Sequence, residues 1–104
     1  MARLIYSGRA LDDLERLVQF LLDEEPAAAL ETYELIEEAI NLLARHPLIG
    51  RPVEAGLREL LISRGRSGYA ALYSYEHLHD AVLVLAIRHQ REVQYPFDLD
   101  DLDT

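Results

Sequence analysis

The sequence lacks cysteine, lysine and tryptophan, and it has only five glycines and four prolines among 104 residues. Without cysteine, the chain has no disulfide framework, no thiolate metal ligand and no nucleophilic thiol. Long apolar runs are also missing: the longest covers residues 81–87, whereas a membrane-spanning helix needs about 20 apolar residues. The first residues do not form the basic and apolar segments of a secretion signal. We therefore expect a soluble, cytoplasmic protein.

Positive charge is scarce and unevenly distributed, and the net charge is −9. Residues 1–45 contain ten acids and four arginines, residues 46–95 contain five acids and six arginines, and residues 96–104 contain four aspartates. A nucleic-acid-binding protein normally shows a basic footprint, because its cations neutralise phosphates. This chain shows none, so we expect no direct, sequence-specific binding of nucleic acid.

The apolar pattern predicts one strand, two helices and then three strands. Residues 2–6 form the opening strand, and Ser7 caps a first helix whose first turn holds Asp12 and Asp13, favourably placed for the helix dipole. Pro26 opens a second helix, which stops before His46. After a loop with Pro and Gly at residues 47–56, the remaining strands are predicted at residues 57–63, 68–76 and 81–89.

Helical spacing also predicts which side chains are buried. The predicted core positions are Leu11, Leu14, Val18, Leu21 and Leu22 in the first helix, and Leu30, Tyr33, Ile36, Ile40 and Leu43 in the second. Leu17 and Leu35 lie off these stripes, so we expect them to contact a partner. Tyr69, Tyr73 and Tyr75 share one strand face and are expected to pack beneath the helices or to cover the sheet edge. The alternative is that they form a docking surface for a partner.

The order β-α-α-β-β-β predicts an α+β domain in which a helical hairpin packs on one face of a mostly antiparallel sheet. A chain of this length is expected to form one core. We assign residues 1–95 to this single domain and residues 96–104 to an acidic C-terminal tail.

Five groups of short motifs follow one another along the chain. They are Leu4-Ile5-Tyr6-Ser7 with Ala10-Leu11-Asp12-Asp13-Leu14; His46-Pro47-Leu48-Ile49-Gly50-Arg51-Pro52; Leu57-Arg58-Glu59-Leu60; Gly68-Tyr69 with Leu72-Tyr73; and Val84-Leu85-Ala86-Ile87-Arg88-His89-Gln90-Arg91-Glu92. In order and spacing they resemble the bacterial RelE/ParE toxin superfamily, from Leu4 to about Tyr95. The resemblance implies that fold, and a toxin held inactive by a cognate antitoxin encoded beside it.

The resemblance implies one of two functions. RelE-like members cut messenger RNA on the ribosome with basic side chains and usually a late tyrosine, which stabilise charge and move protons. The corresponding residues in this chain would be Arg64, Arg66, Arg88, His89 and Tyr95. ParE-like members bind DNA gyrase and trap its cleaved-DNA state without chemistry of their own. The acidic total charge and the absence of lysine favour the ParE-like branch, in which the chain has no catalytic residues.

Several cations are candidates for contact with a target or partner. The set comprises Arg58, Arg64, Arg66, Arg88, His89 and Arg91. A solvated strand end, with an arginine paired to a nearby carboxylate, explains the last three equally well, and Arg58 fits a cross-strand pair better than a target contact. His77 and His79 share a turn that lacks a third distant ligand, so we predict no metal and no cofactor.

Overall fold

The computed structural model describes residues 1–64 and 67–91, with Arg64 and Ser67 described by their backbone alone. Its helices and strands are β1 (Arg3–Tyr6), α1 (Gly8–Glu24), α2 (Pro26–Asn41), β2 (Arg51–Pro52), β3 (Arg58–Arg64), β4 (Ser67–Glu76) and β5 (Ala81–His89). The α+β class with a helical hairpin on a mostly antiparallel sheet is confirmed. The predicted order omitted β2, a two-residue strand inside the predicted loop.

The five strands form one sheet in the order β1-β5-β4-β3-β2. β1 pairs in parallel with β5, and the other neighbouring pairs are antiparallel. Both helices pack on one face of the sheet, where apolar side chains of β3, β4 and β5 meet them in the main core. We call this the helix side, and we call the opposite face the far face.

Both predicted helix starts are confirmed. Ser7 caps α1, since its Oγ accepts a hydrogen bond from the Ala10 N–H at 3.0 Å. Pro26 is the first residue of α2, and only Glu25 separates the two helices. The second helix ends earlier than predicted, at Asn41, and a short 3-10 turn continues the chain to Ala44.

The buried stripe of each helix differs in part from the predicted one. Ile36, Ile40 and Leu43 are fully buried, as predicted. Leu17 belongs to the core instead of lying off it, because α1 buries a stripe at Ala10, Leu14 and Leu17. Four residues that were predicted to be buried are exposed, because they lie beside the buried stripes. They are Leu11, Leu22, Leu30 and Tyr33.

The side chains of Ser7, which caps α1, and of Asp13 within α1 complete the hydrogen bonding of β5 where β1 ends. β1 pairs with β5 only as far as Val84, and a β-bulge then interrupts the pairing of β5 with β4. Just beyond, Ser7 Oγ donates to the Leu85 carbonyl at 3.1 Å, and the Ile87 N–H donates to Asp13 Oδ2 at 2.9 Å. Asp13 is therefore a buried partner of β5. The prediction that Asp12 and Asp13 lie in the first turn of α1 is wrong, because the helix begins at Gly8 and its first turn contains no acid.

A buried tyrosine holds the loop that follows the helices. The Tyr73 hydroxyl accepts from the Gly50 N–H at 2.9 Å and donates to the Pro47 carbonyl at 2.7 Å. A Cβ at Gly50 would lie 2.6 Å from this hydroxyl, so glycine is needed for the close approach. Burial raises the pKa of Tyr73, while the Gly50 hydrogen bond and the Arg58 charge oppose the rise.

We expect Tyr73→Phe to lower the free energy of unfolding by about 1–3 kcal/mol, because the buried Gly50 N–H and the Pro47 carbonyl lose their partner. Tyr75→Phe is the matched control, since its hydroxyl bonds Asp80 at the exposed surface, and it should cost less than about 1 kcal/mol. Urea denaturation of both variants measures the difference. Equal losses would contradict the anchoring role of Tyr73.

Candidate functional site

Three charged residues form a cluster on the far face of the sheet, and we call Arg51, Glu59 and Arg88 the far-face cluster. Arg51 lies opposite Glu59 in the pairing of β2 with β3, and its Nη2 contacts Glu59 Oε1 at 2.6 Å. Arg88 Nη2 lies 3.4 Å from Glu59 Oε2. Since β4 separates β3 from β5, the Arg88 side chain reaches across a whole strand, roughly 10 Å, to meet its partner.

Burial makes this ion pair structurally important. The side chains of Glu59 and Arg88 are 5% and 12% exposed, whereas that of Arg51 is 59% exposed. A buried charge is costly unless it is paired and hydrogen-bonded. Glu59 therefore stabilises Arg88 inside the fold, and Arg51 adds a second, solvated cation to the same carboxylate.

His89 and Arg91 belong to the opposite side of the sheet. The His89 ring packs edge to face on the Tyr69 ring, with the centroids 5.1 Å apart, and its Nδ1 accepts a hydrogen bond from the Arg91 N–H at 2.9 Å. Both residues line a groove of about 800 Å³ between α1 and the end of β5. We call it the helix-side groove; its lining is Arg16, Leu17, Phe20, Leu21, Glu24, Glu25, Tyr69, His89 and Arg91.

Arg58 has a local structural role at the loop that precedes β2. Its Nη1 donates to the carbonyls of Leu48 and Gly50, at 3.1 and 2.7 Å. Together with Tyr73, it fixes the loop whose two apolar side chains, Leu48 and Ile49, are half exposed or more. Whether Arg58 also touches a partner stays a prediction.

The remaining predicted contact residues fall into two groups. Leu17 lines the helix-side groove, but only 6% of the residue is exposed. The expectation that it lies off the core is therefore wrong. Leu35 is partly buried against the core. The Arg64 side chain, Arg66 and Tyr95 lie outside the described residues, and their roles stay predictions.

Sequence reasoning missed Arg51 and Glu59 as site residues. Arg51 stands in a predicted loop, and Glu59 lies next to Arg58 in the motif Leu57-Arg58-Glu59-Leu60. The available signal was the alternation of β3, which places Glu59 on the face opposite Leu60. That face points away from the helices, so the alternation predicts the face of Glu59 but not its burial, and the identity of its partners depends on strand pairing.

Across residues 1–64 and 67–91, no three His, Asp or Glu side chains are grouped to hold a metal ion. Within the same ranges, neither helix is long and apolar enough to span a bilayer.

Comparison with known families decides the assignment. The family described as the ParE toxin of the type II toxin-antitoxin system parDE matches residues 4–94. The chain belongs to the ParE toxin family. Two curated relatives of this ParE family chain come from Caulobacter vibrioides. Toxin RelE3 is 38% identical over 84 residues, covering 81% of this chain and 89% of the relative. Toxin RelE1 is 35% identical over 88 residues, covering 85% and 92%.

Solved structures carry the same fold as this ParE family chain. A chain of the chromosomal ParDE system from P. aeruginosa gives a TM-score of 0.69 at 22% identity, covering 86% of this chain and 96% of that one. A chain of the E. coli RelBE complex gives 0.60 at 17% identity, covering 84% and 94%. The protein is thus a type II toxin of the RelE/ParE superfamily.

We expect Glu59→Gln to lower the free energy of unfolding by about 3 kcal/mol, because Arg88 would remain buried without its counter-charge. Glu54→Gln is the matched control, since Glu54 is exposed on the loop before β3, and it should change stability by less than about 0.5 kcal/mol. Chemical denaturation at neutral pH compares the two. A small effect at Glu59 would mean that the ion pair is not structural.

Proposed function

We propose that this ParE family toxin inhibits DNA gyrase by binding and has no catalytic activity of its own. The supporting observation is the division of Arg88 and His89 between the two faces of the sheet. Arg88 pairs with the buried Glu59 on the far face, and His89 packs on Tyr69 on the helix side. A nuclease needs its proton-transfer groups and its charge-stabilising cations around one phosphate. These two residues do not meet that requirement together.

The second candidate is ribosome-dependent cleavage of messenger RNA. The names of the two Caulobacter relatives, RelE3 and RelE1, favour it. In that case Arg64, Arg66, Arg88, His89 and Tyr95 would supply charge stabilisation and proton transfer. A third candidate is a superfamily member that has lost toxicity and only binds an antitoxin.

We further propose that a cognate antitoxin neutralises the toxin by covering the helical hairpin and the sheet. Structural neighbours include complexes named as ParDE and RelBE toxin-antitoxin systems. In this chain, exposed apolar side chains on the hairpin suit such a cover; they include Phe20, Leu22 and Leu30, which are 63%, 46% and 65% exposed. An amphipathic partner helix recognises a surface of this kind by its apolar face.

We expect the purified toxin to inhibit supercoiling by DNA gyrase and to leave linearised plasmid after detergent denaturation, because trapped cleavage complexes release broken DNA. Plasmid relaxation by a type I topoisomerase is the specificity control and should be unaffected. Intact gyrase activity at a large excess of folded toxin would refute the proposal.

Ribosome-dependent RNA cleavage that is lost in Arg88→Ala and His89→Ala would establish the second candidate. Unimpaired growth on expression without antitoxin would favour the third.

The helix-side groove is the part of the surface where we expect gyrase contact. Arg91 is exposed and lines this groove, so Arg91→Glu should weaken gyrase inhibition about tenfold, the usual cost of one charge-assisted contact. Arg3→Glu is the control with the same charge change, because Arg3 is exposed at the start of β1. Dose-response curves of supercoiling compare the variants, and equal weakening by both would indicate a nonspecific charge effect.

The antitoxin segment that binds the hairpin should carry basic as well as apolar residues. Residues 8–41 contain ten acids and only two arginines, so a basic partner complements their charge. We expect Glu34→Lys with Glu38→Lys to weaken antitoxin binding and to reduce its salt dependence, measured by calorimetry at two ionic strengths. A cognate antitoxin segment with net negative charge would argue against this mode of binding.

A further inference from the structure

The chain that leaves the helical hairpin is fixed by side chains of the sheet before it enters β2. We call residues 45–51 the anchored loop. The Tyr73 hydroxyl donates to the Pro47 carbonyl at 2.7 Å and accepts from the Gly50 N–H at 2.9 Å. Arg58 Nη1 donates to the Gly50 carbonyl at 2.7 Å and to a second carbonyl of the loop at 3.1 Å. Two side chains of the sheet therefore hold the loop backbone by four hydrogen bonds.

The anchored loop nevertheless presents two apolar side chains to solvent. Leu48 is 59% exposed and Ile49 is 50% exposed. A flexible loop loses conformational freedom when a partner binds it, whereas a loop whose backbone is already fixed loses little. Each apolar side chain that a partner covers then contributes to binding through the area removed from water. The anchoring by Tyr73 and Arg58 thus prepares these two side chains for contact with another molecule.

Exposed cations flank the two apolar side chains. Arg45 and His46 precede them and Arg51 follows them, and all three residues are exposed. Residues 39–53 contain no acid, although the net charge of the whole chain is −9. Apolar side chains framed by arginines are complementary to a protein segment in which carboxylates stand beside apolar residues.

The anchored loop is a separate surface from the helix-side groove. Tyr69 lines the groove and Tyr73 holds the loop, and these residues are four positions apart on β4, roughly 13 Å along the strand. The antitoxin segment proposed for the hairpin is basic, so the arginines of the loop would repel it. Charge therefore favours the target of the toxin over the antitoxin as the partner of this loop.

We propose that the anchored loop is a second contact surface for DNA gyrase and that it binds an acidic segment of that protein. Apolar side chains of the segment cover Leu48 and Ile49, and its carboxylates meet Arg45 and Arg51. This inference rests on the proposed inhibition of gyrase. Groove and loop reinforce each other, because contact at one surface raises the effective concentration of the partner at the other.

Replacing the two exposed apolar side chains tests the contact directly. Leu48→Ser with Ile49→Ser is the loop variant, and Leu11→Ser with Leu61→Ser is the matched control. The control leucines are 52% and 48% exposed, on α1 and on the far face. Dose-response curves of supercoiling by the gyrase holoenzyme compare both full-length variants with the unaltered toxin, after denaturation curves have shown that both fold.

We expect the loop variant to need at least about tenfold more protein for half-maximal inhibition, because two apolar contacts are lost. The control variant should match the unaltered toxin. Unchanged inhibition by the loop variant would overturn this inference and leave gyrase inhibition standing. An unaltered toxin that does not inhibit gyrase would overturn both.

A charge reversal tests the acidic nature of the partner segment. Arg45→Glu should weaken inhibition about tenfold and make it less dependent on salt, because the partner's carboxylates are then repelled. Arg3→Glu, at the exposed start of β1, is the control and should have little effect. Weakening by Arg45→Glu without weakening by the two serines would indicate contact with the phosphates of gyrase-bound DNA and would overturn the proposal.

Binding of the cognate antitoxin distinguishes the two protein partners. Measured by calorimetry, the affinity for the antitoxin should be the same for the loop variant and the unaltered toxin. Weaker antitoxin binding with unchanged gyrase inhibition would assign the anchored loop to the antitoxin and would overturn the proposal.

Discussion

The two-residue period of β5 is the constraint on which the functional surface depends. Consecutive strand residues face opposite sides of a sheet, so Arg88 and His89 are neighbours in the chain but belong to different surfaces. Arg88 lies on the far face against Glu59, and His89 lies on the helix side against Tyr69. α1 fixes this arrangement, because Asp13 accepts the Ile87 N–H immediately before these two residues.

The charged residues of the far face therefore have a different character from those of the helix-side groove. Arg88 and Glu59 are buried and depend on each other, since removing one partner leaves an uncompensated charge in the protein. Arg91 is exposed beside apolar residues of α1, an environment in which a cation contacts other molecules at little desolvation cost. The acidic helices present a third kind of surface, which suits a basic partner.

The starts of both helices could be predicted from the sequence, because interactions between residues close together in the chain determine where a helix begins. Ser7 as a cap and Pro26 as the first residue of α2 satisfy backbone groups within a few residues, and both were predicted. The errors arose where the answer depends on packing between elements. Leu30 has the spacing of a core residue but is exposed, since the angle at which a helix meets the sheet decides which part of a broad apolar stripe is buried. The partners of Glu59 and Asp13 are distant in sequence, so no local pattern reveals them.

The most direct test of the binding account replaces the ion pair by two apolar residues. Glu59→Met with Arg88→Met removes both buried charges, and such replacements are often neutral or stabilising when both partners change together. The measurement is growth inhibition on expression without antitoxin, with the stability of the purified variant checked by denaturation. The account predicts a folded variant that retains toxicity, because Arg88 acts through the fold. A folded variant without toxicity would contradict the account and would show that the charges of the Arg88–Glu59 pair are needed for action on the target.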